Sequence, residues 1–171
     1  MSCCDQPGLI PVEQALEKLL NAAQPITETE TEMVAVGKAL GRVLAADQQS
    51  TVDVPPADNS AMDGFAFNSV DCKESGQTTL PLSQRIPAGV APQSLQPGTA
   101  ARIFTGAEVP SGADTVIMQE NCQWDSDQVI LPAEPKAGDN VRPRGQDIQS
   151  GSIIMCRGHR IKPQDMGLLA S

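Results

Sequence analysis

The chain has 171 residues, enough for one domain or two small ones, and 40% of them are hydrophobic, enough for a packed core. Aromatic residues are only 2% and Gly and Pro number 14 each, so composition argues against a helical bundle and for short strands, many turns and an aliphatic core. A formal net charge of −9 argues against non-specific nucleic-acid binding and against an anionic membrane surface, and no apolar run approaches membrane-spanning length.

Residues 1–9 read as a tail, without the basic start and apolar run of a leader. Pro11 to Ala23 is the clearest predicted helix. Pro11 suits the first helical position, and Glu13 and Glu17 sit near the positive end of the dipole. Val12, Ala15, Leu16, Leu19, Leu20 and Ala23 form one apolar face, fit for packing on the protein's own core or for a subunit interface. Thr27 to Glu32 is a polar connection. Val36 to Leu40 reads as a short helix ended by Gly41, and Arg42 to Asp47 as the start of a strand.

The stretch D-V-P-P-A-D-N-S-A-M-D-G-F, 53–65, stands out. It carries Asp53, Asp58 and Asp63 with no Lys or Arg among them. Pro55 and Pro56 exclude a helix interior or a central strand, Asn59 and Ser60 favour a turn, and Asp63-Gly64 is a turn pair. The segment therefore reads as a stiff, exposed loop that then enters the core at Phe65. Two readings stand side by side. The Asp residues cap local backbone in a solvated turn, or they help hold a hard cation such as Mg²⁺, for which one or two carboxylates suffice.

From Phe65 onward the texture is that of a small all-β unit. Phe65–Phe67, Thr78–Leu82, Ala100–Phe104, Thr115–Gln119 and Gln128–Leu131 are the candidate strands, with turns at 86–89 and 96–98. Thr105-Gly106 follows one strand, either as an ordinary strand-ending turn or as a place where backbone and hydroxyl approach a ligand closely. Arg142 and Arg144 lie beside Gly145 and Asp147 in N-V-R-P-R-G-Q-D-I, 140–148. That pair either bridges to surface acids or holds an oxyanion with its planar donor forks. Ser152–Met155 is a last strand, and Pro163 opens a helix over 164–170 that breaks off without a terminator, as a fragment of something longer would. His159, the only histidine, has no partner at motif spacing and reads as a surface residue.

Five cysteines, Cys3, Cys4, Cys72, Cys122 and Cys156, show no C-x-x-C spacing and predict free thiols in a reducing cytoplasm. No nucleophile elbow, Walker loop, dinucleotide fingerprint or metalloprotease helix is present.

Six ordered segments together resemble a family. They are A-L-G-R-V-L-A at 39–45, D-N-S-A-M-D-G-F-A at 58–66, R-I-F-T-G-A-x-V-P at 102–110, A-D-T-V-I-M-Q-E at 113–120, N-V-R-x-R-G-x-D-I at 140–148 and G-x-x-I-K-P-x-D-M-G-L-L-A at 158–170. After residue 10 the chain closely resembles the N-terminal region of MoeA, the bacterial molybdopterin molybdenumtransferase family. That resemblance implies an α+β, β-rich fold. An outer helical and β domain, 8–50 plus 146–171, would be interrupted by an inserted small all-β domain, 51–145. It also implies a homodimer, and a pterin-binding domain and a C-terminal β-barrel that this chain lacks. An upstream adenylyltransferase of the same pathway is an implied partner.

The implied reaction places molybdenum from molybdate on the dithiolene of adenylylated molybdopterin, with Mg²⁺ or another divalent cation, and releases the adenylyl group. By motif position the resemblance assigns Asp63, Thr105 and Asp147 to catalysis, Asp63 also to the cation, and Arg142, Arg144 and Ser60 to substrate binding. The alternative is a non-catalytic dimerisation or docking module. Two departures stand out. The family's R-R-R-G-E-D is here Arg142-Pro143-Arg144-Gly145-Gln146-Asp147, and Phe104 replaces a frequent Met, a change expected to matter only to packing.

Overall fold

The computed structural model describes residues 10–23, 30–73, 76–132 and 134–170. The tail and the first half of the polar connection at 27–32 lie outside them. The protein is mostly β with few helices, and it divides into two compact units. One is formed by the described residues of 1–47 and 156–171, the other by those of 48–155. Residues 146–155, expected with the outer part, belong to the second unit, because they pair with Asp53, Val54 and the strand that opens it.

The second unit is built on β3 (Gly64–Phe67), all four residues of which are buried. It lies between β5 (Ala100–Ile103) and β6 (Thr115–Met118), antiparallel to both. β4 (Thr78–Ile86) runs parallel to β5 and antiparallel to β8 (Gln128–Leu131), and β7 (Gln123–Trp124) closes the far edge, giving the order β6-β3-β5-β4-β8-β7. Alternation along β3 sorts the core. Phe65 and Phe67 join Leu80, Ala100, Val129 and Leu131 on one face. Ala66 joins Ile86, Ala101, Ile103 and Val116 on the other. A strand buried on both faces needs no polar positions, which is why G-F-A-F carries none.

β4 runs four residues beyond its predicted end. Ser83 and Arg85 are exposed, so the second half of the strand carries polar residues on one face and hides its period. Its first half pairs with β8 and its second with β5. Four two-residue strands escaped the sequence pattern: β7, β1 (Gln48–Gln49), β2 (Asn59–Ser60) and β9 (Val141–Arg142). β1 pairs with β10 (Ile153–Met155), and β2 with β9.

In the first unit, α1 (Val12–Ala22) has no buried residue. The expected helix at 36–40 is a 3₁₀ turn over Val36–Lys38, and Gly41 has the positive φ of 79° its capping place requires. Arg42–Asp47 forms no strand; Val43 makes a single bridge to Arg160. α2 (Pro163–Ala170) starts where proline predicts it. His159 does have an acidic partner, contrary to expectation. Its Nε2 lies 2.7 Å from Asp165 Oδ2, which also accepts the Lys162 N–H at 2.8 Å. The carboxylate in the first turn of α2 thus reaches back to the helix entry, half of a capping box. Among the described residues, no helix is long and apolar enough to cross a membrane.

Candidate functional site

Asp63 sits at the end of the acidic loop, directly before β3. Its Oδ1 accepts two hydrogen bonds from Thr105, one from the backbone N–H at 2.8 Å and one from the hydroxyl at 2.7 Å. The two bonds hold its pKa below the ordinary carboxylate value, against partial burial, with a smaller contribution from the Arg102 charge. Oδ2 makes no hydrogen bond among the described residues. Asp63 is therefore an ionised group with one oxygen fixed and one presented. The turn that carries Thr105 is anchored in turn by β2. Gly106 N–H donates to Ser60 O at 2.8 Å, and Ser60 N–H to Ala107 O at 2.9 Å.

The other two carboxylates of the acidic loop do different work. Asp53 Oδ2 takes the Arg144 Nε–H at 2.6 Å, and its Oδ1 takes the Ser150 N–H at 2.8 Å. The Ser150 bond first, then Arg144, hold Asp53 well ionised. Asp58 Oδ1 accepts the Arg144 N–H at 2.7 Å. Gly145 N–H and Asp147 N–H donate to the carbonyls of Pro55 and Val54, both at 2.9 Å. The acidic loop and the arginine stretch, some ninety residues apart in the chain, are thus one folded piece. Charge repulsion among three carboxylates does not arise, because the loop shares them out among separate donors. No group of three His, Cys, Asp or Glu side chains fit to hold a metal ion occurs among the described residues.

Arg142 opposes Asn59 across the β2–β9 pair. Its Nη2 donates to Asp147 Oδ2 at 2.7 Å, with both side chains about half exposed. Asp147 so orders Arg142, whose remaining guanidinium N–H groups make no hydrogen bond among the described residues. Arg144 keeps 66% of its side chain exposed beyond its bond to Asp53. Ser60 does not fit a substrate contact. It is 1% exposed, and its hydroxyl donates to Met62 O at 2.6 Å, so it shapes the loop from within. Beside the Gly106 turn lies a groove of about 370 Å³, lined by Pro56, Ala57, Asn59, Val90, Gly106 and Glu108. The buried Asn59 Oδ1 has no hydrogen-bond partner among the described residues.

Sequence reasoning passed over Arg102. Its Nη1 donates to Gly64 O at 3.3 Å and its Nη2 to Gln119 Oε1. Burial, joined by the nearby Arg85 charge, lowers its pKa from the usual guanidinium value, with Asp63 acting the other way. Phe104, expected to matter only to packing, lies against the guanidinium groups of both Arg85 and Arg102. The available signal was a strand position that puts a charge directly after two alanines.

As for the fit of a divalent cation, this chain offers one free carboxylate oxygen at Asp63, beside the Thr105 hydroxyl. That suits a cation which keeps most of its waters and takes its other ligands from a phosphate, as Mg²⁺ does, and not a closed protein cage.

The family model for the MoeA N-terminal region (domain I and II) matches residues 10–171. The chain is 40% identical over 149 residues to a molybdopterin molybdenumtransferase of Nostoc sp., covering 85% of this chain and 34% of that protein. It is 37% identical over 165 residues to the molybdopterin molybdenumtransferase of Haemophilus influenzae, covering 95% of this chain and 40% of the other. In three dimensions it superposes on the molybdopterin biosynthesis moeA protein of Pyrococcus horikoshii with a TM-score of 0.84 and 34% identity, over 95% of this chain and 43% of that one. The chain thus spans well under half the length of these relatives. By this coverage and identity, with a fold to match, the chain belongs to the MoeA N-terminal family.

Proposed function

We propose that this chain is the N-terminal part of a molybdopterin molybdenumtransferase, and that it supplies one wall of the site where molybdenum from molybdate enters adenylylated molybdopterin. The observation that carries this reading is the Asp63 carboxylate, fixed through Oδ1 by both donors of Thr105 and open at Oδ2. Asp63 holds a divalent cation by that oxygen, and the cation, when bound, offsets phosphate charge. Thr105 positions Asp63 and can turn its hydroxyl to a phosphate. Asp147 holds Arg142, and Arg142 with Arg144 offsets the anionic charge of the substrate. In this reading 48–155 is the inserted β-domain, the setting is cytoplasmic, and a pterin-binding domain supplies the opposite wall.

The exposed apolar face of α1 favours a second element of the reading, a homodimer. Val12 is 77% exposed and Leu19 70%, with Leu16 and Leu20 beside them. Were dimerisation the chain's whole task, it would be a docking module and Asp63 would be dispensable.

The test is release of AMP from adenylylated molybdopterin, driven by a divalent cation, with this chain joined to the family's pterin-binding domain. Asp63→Ala should lower kcat by about 10²-fold or more with KM little changed. Asp63→Asn, which keeps the Thr105 contacts, should fall almost as far. An unchanged rate in both variants, with the dimer intact, leaves only the docking module.

A further inference from the structure

Three of the chain's four aromatic residues surround one guanidinium. The whole inventory is three Phe and one Trp. Arg102 Cζ lies 4.8 Å from the Phe65 ring centroid, 5.1 Å from that of Phe104 and 4.8 Å from that of Trp124. The register brings in a second cation. Across the sheet Arg102 stands opposite Phe65 on β3 and opposite Arg85 on β4, so the three side chains line one face. Arg85 Cζ lies 4.6 Å from the Phe104 centroid.

Two like charges directly opposite on neighbouring strands repel each other. The chain has 21 acidic residues against 12 Lys and Arg, yet neither of these arginines forms an ion pair among the described residues. Arg102 is anchored by Gly64 O and Gln119, with Asp63 and Glu120 acting on it only at longer range. Arg85 is exposed and donates no hydrogen bond among the described residues, so its N–H groups are free for a molecule outside the chain. Two opposed arginines without an ion pair between them and an acid work against folding, and such a local conflict marks a functional place.

We propose that Arg85 and Arg102, held around the Phe104 ring, form a binding subsite for the phosphoryl group of a small molecule. Paired planar forks match a tetrahedral oxyanion, and the aromatic rings keep Arg102 charged and fixed as it leaves water. The subsite adjoins the Asp63 turn, since Phe104 precedes Thr105 and Gly64 follows Asp63. It stands on this geometry whether or not the metal-insertion reading holds.

Trp124, the chain's single Trp, touches Arg102 and reports on it. The experiment titrates the protein with methyl phosphate and, separately, inorganic phosphate, at constant ionic strength set by chloride. Trp124 fluorescence is read together with the arginine Nε–H resonances in NMR. Methyl phosphate should give a saturable change in at least one readout in the millimolar range. Arg85→Gln should weaken the apparent affinity about 10-fold, the loss of one charged donor set. Four results overturn the proposal: no saturable change in either readout; the same affinity in Arg85→Gln; an equal response to chloride alone; or a response to inorganic phosphate without one to the monoester.

Discussion

Gly64 decides how closely β6 approaches β3. A Cβ placed on it would stand 1.8 Å from Ile117 O, a backbone atom that cannot swing aside. Gly64→Ala should therefore destabilise the protein by about 3 kcal/mol through forced separation of the strands, measured by chemical denaturation. Stability equal to the parent's would show that β6 can shift freely. The same closeness brings Asp63, the residue before, to a fixed place beside Thr105. Burial pushes the Cys122 thiol up to about 11, whereas Cys156 is exposed. Alkylation at neutral pH should modify Cys156 and spare Cys122 until the protein unfolds; mass mapping of the labelled peptides checks it.

Among the elements, β3 and α1 form a contrast. β3 buries both of its Phe side chains completely. Phe67→Ala should cost about 3–5 kcal/mol in denaturation, the usual cost of removing a buried ring. No residue of α1 is buried among the described residues, although its sequence has a clean apolar stripe. Helical periodicity shows which side chains share a face; it does not tell what covers that face. Leu16→Asp with Leu20→Asp should convert a dimer to monomers by analytical ultracentrifugation without lowering the thermal midpoint. A variant that sediments like the parent would exclude α1 from the proposed dimer contact.

For the whole molecule, several carboxylates together make stability fall in acid. The Ser150 N–H and Arg144 lower the pKa of Asp53, Thr105 that of Asp63, and His159 and the Lys162 N–H that of Asp165. Asp114 is also low despite its burial, because Ser69 donates through both hydroxyl and N–H. A depressed folded-state pKa contributes stability that is fully present above the ordinary carboxylate value of 3.8. That stability is lost as pH falls through the lowered folded value. The protein should hold its midpoint from neutrality to about pH 5 and lose it steeply below about pH 4. Asp53→Asn should lower the midpoint most above pH 4, and the gap to the parent should close as pH falls. A gap that is constant down to pH 2 would show that Asp53 acts by shape and not by charge.

Elements whose residues carry their own period or punctuation were legible along the chain: α1, the Pro163 start of α2, the all-buried run at β3, β8 and the stop at Gly41. It also marked Asp63, Thr105 and the arginine stretch as places of interest, since proline, glycine and unpaired charge are local signals. What each of them touches depends on how distant segments come together. β2 and β9 are strands because they meet each other, and nothing in two residues announces that. Asp53 and Asp58 look like Asp63 in the chain, yet they clamp a loop ninety residues away while Asp63 keeps an open oxygen. Ser60 turns inward, His159 finds Asp165, and Arg102 gathers three rings from three separate segments. Backbone propensity acts over a few residues, whereas a charge or a ring is given its role by whatever the fold places within about 5 Å of it.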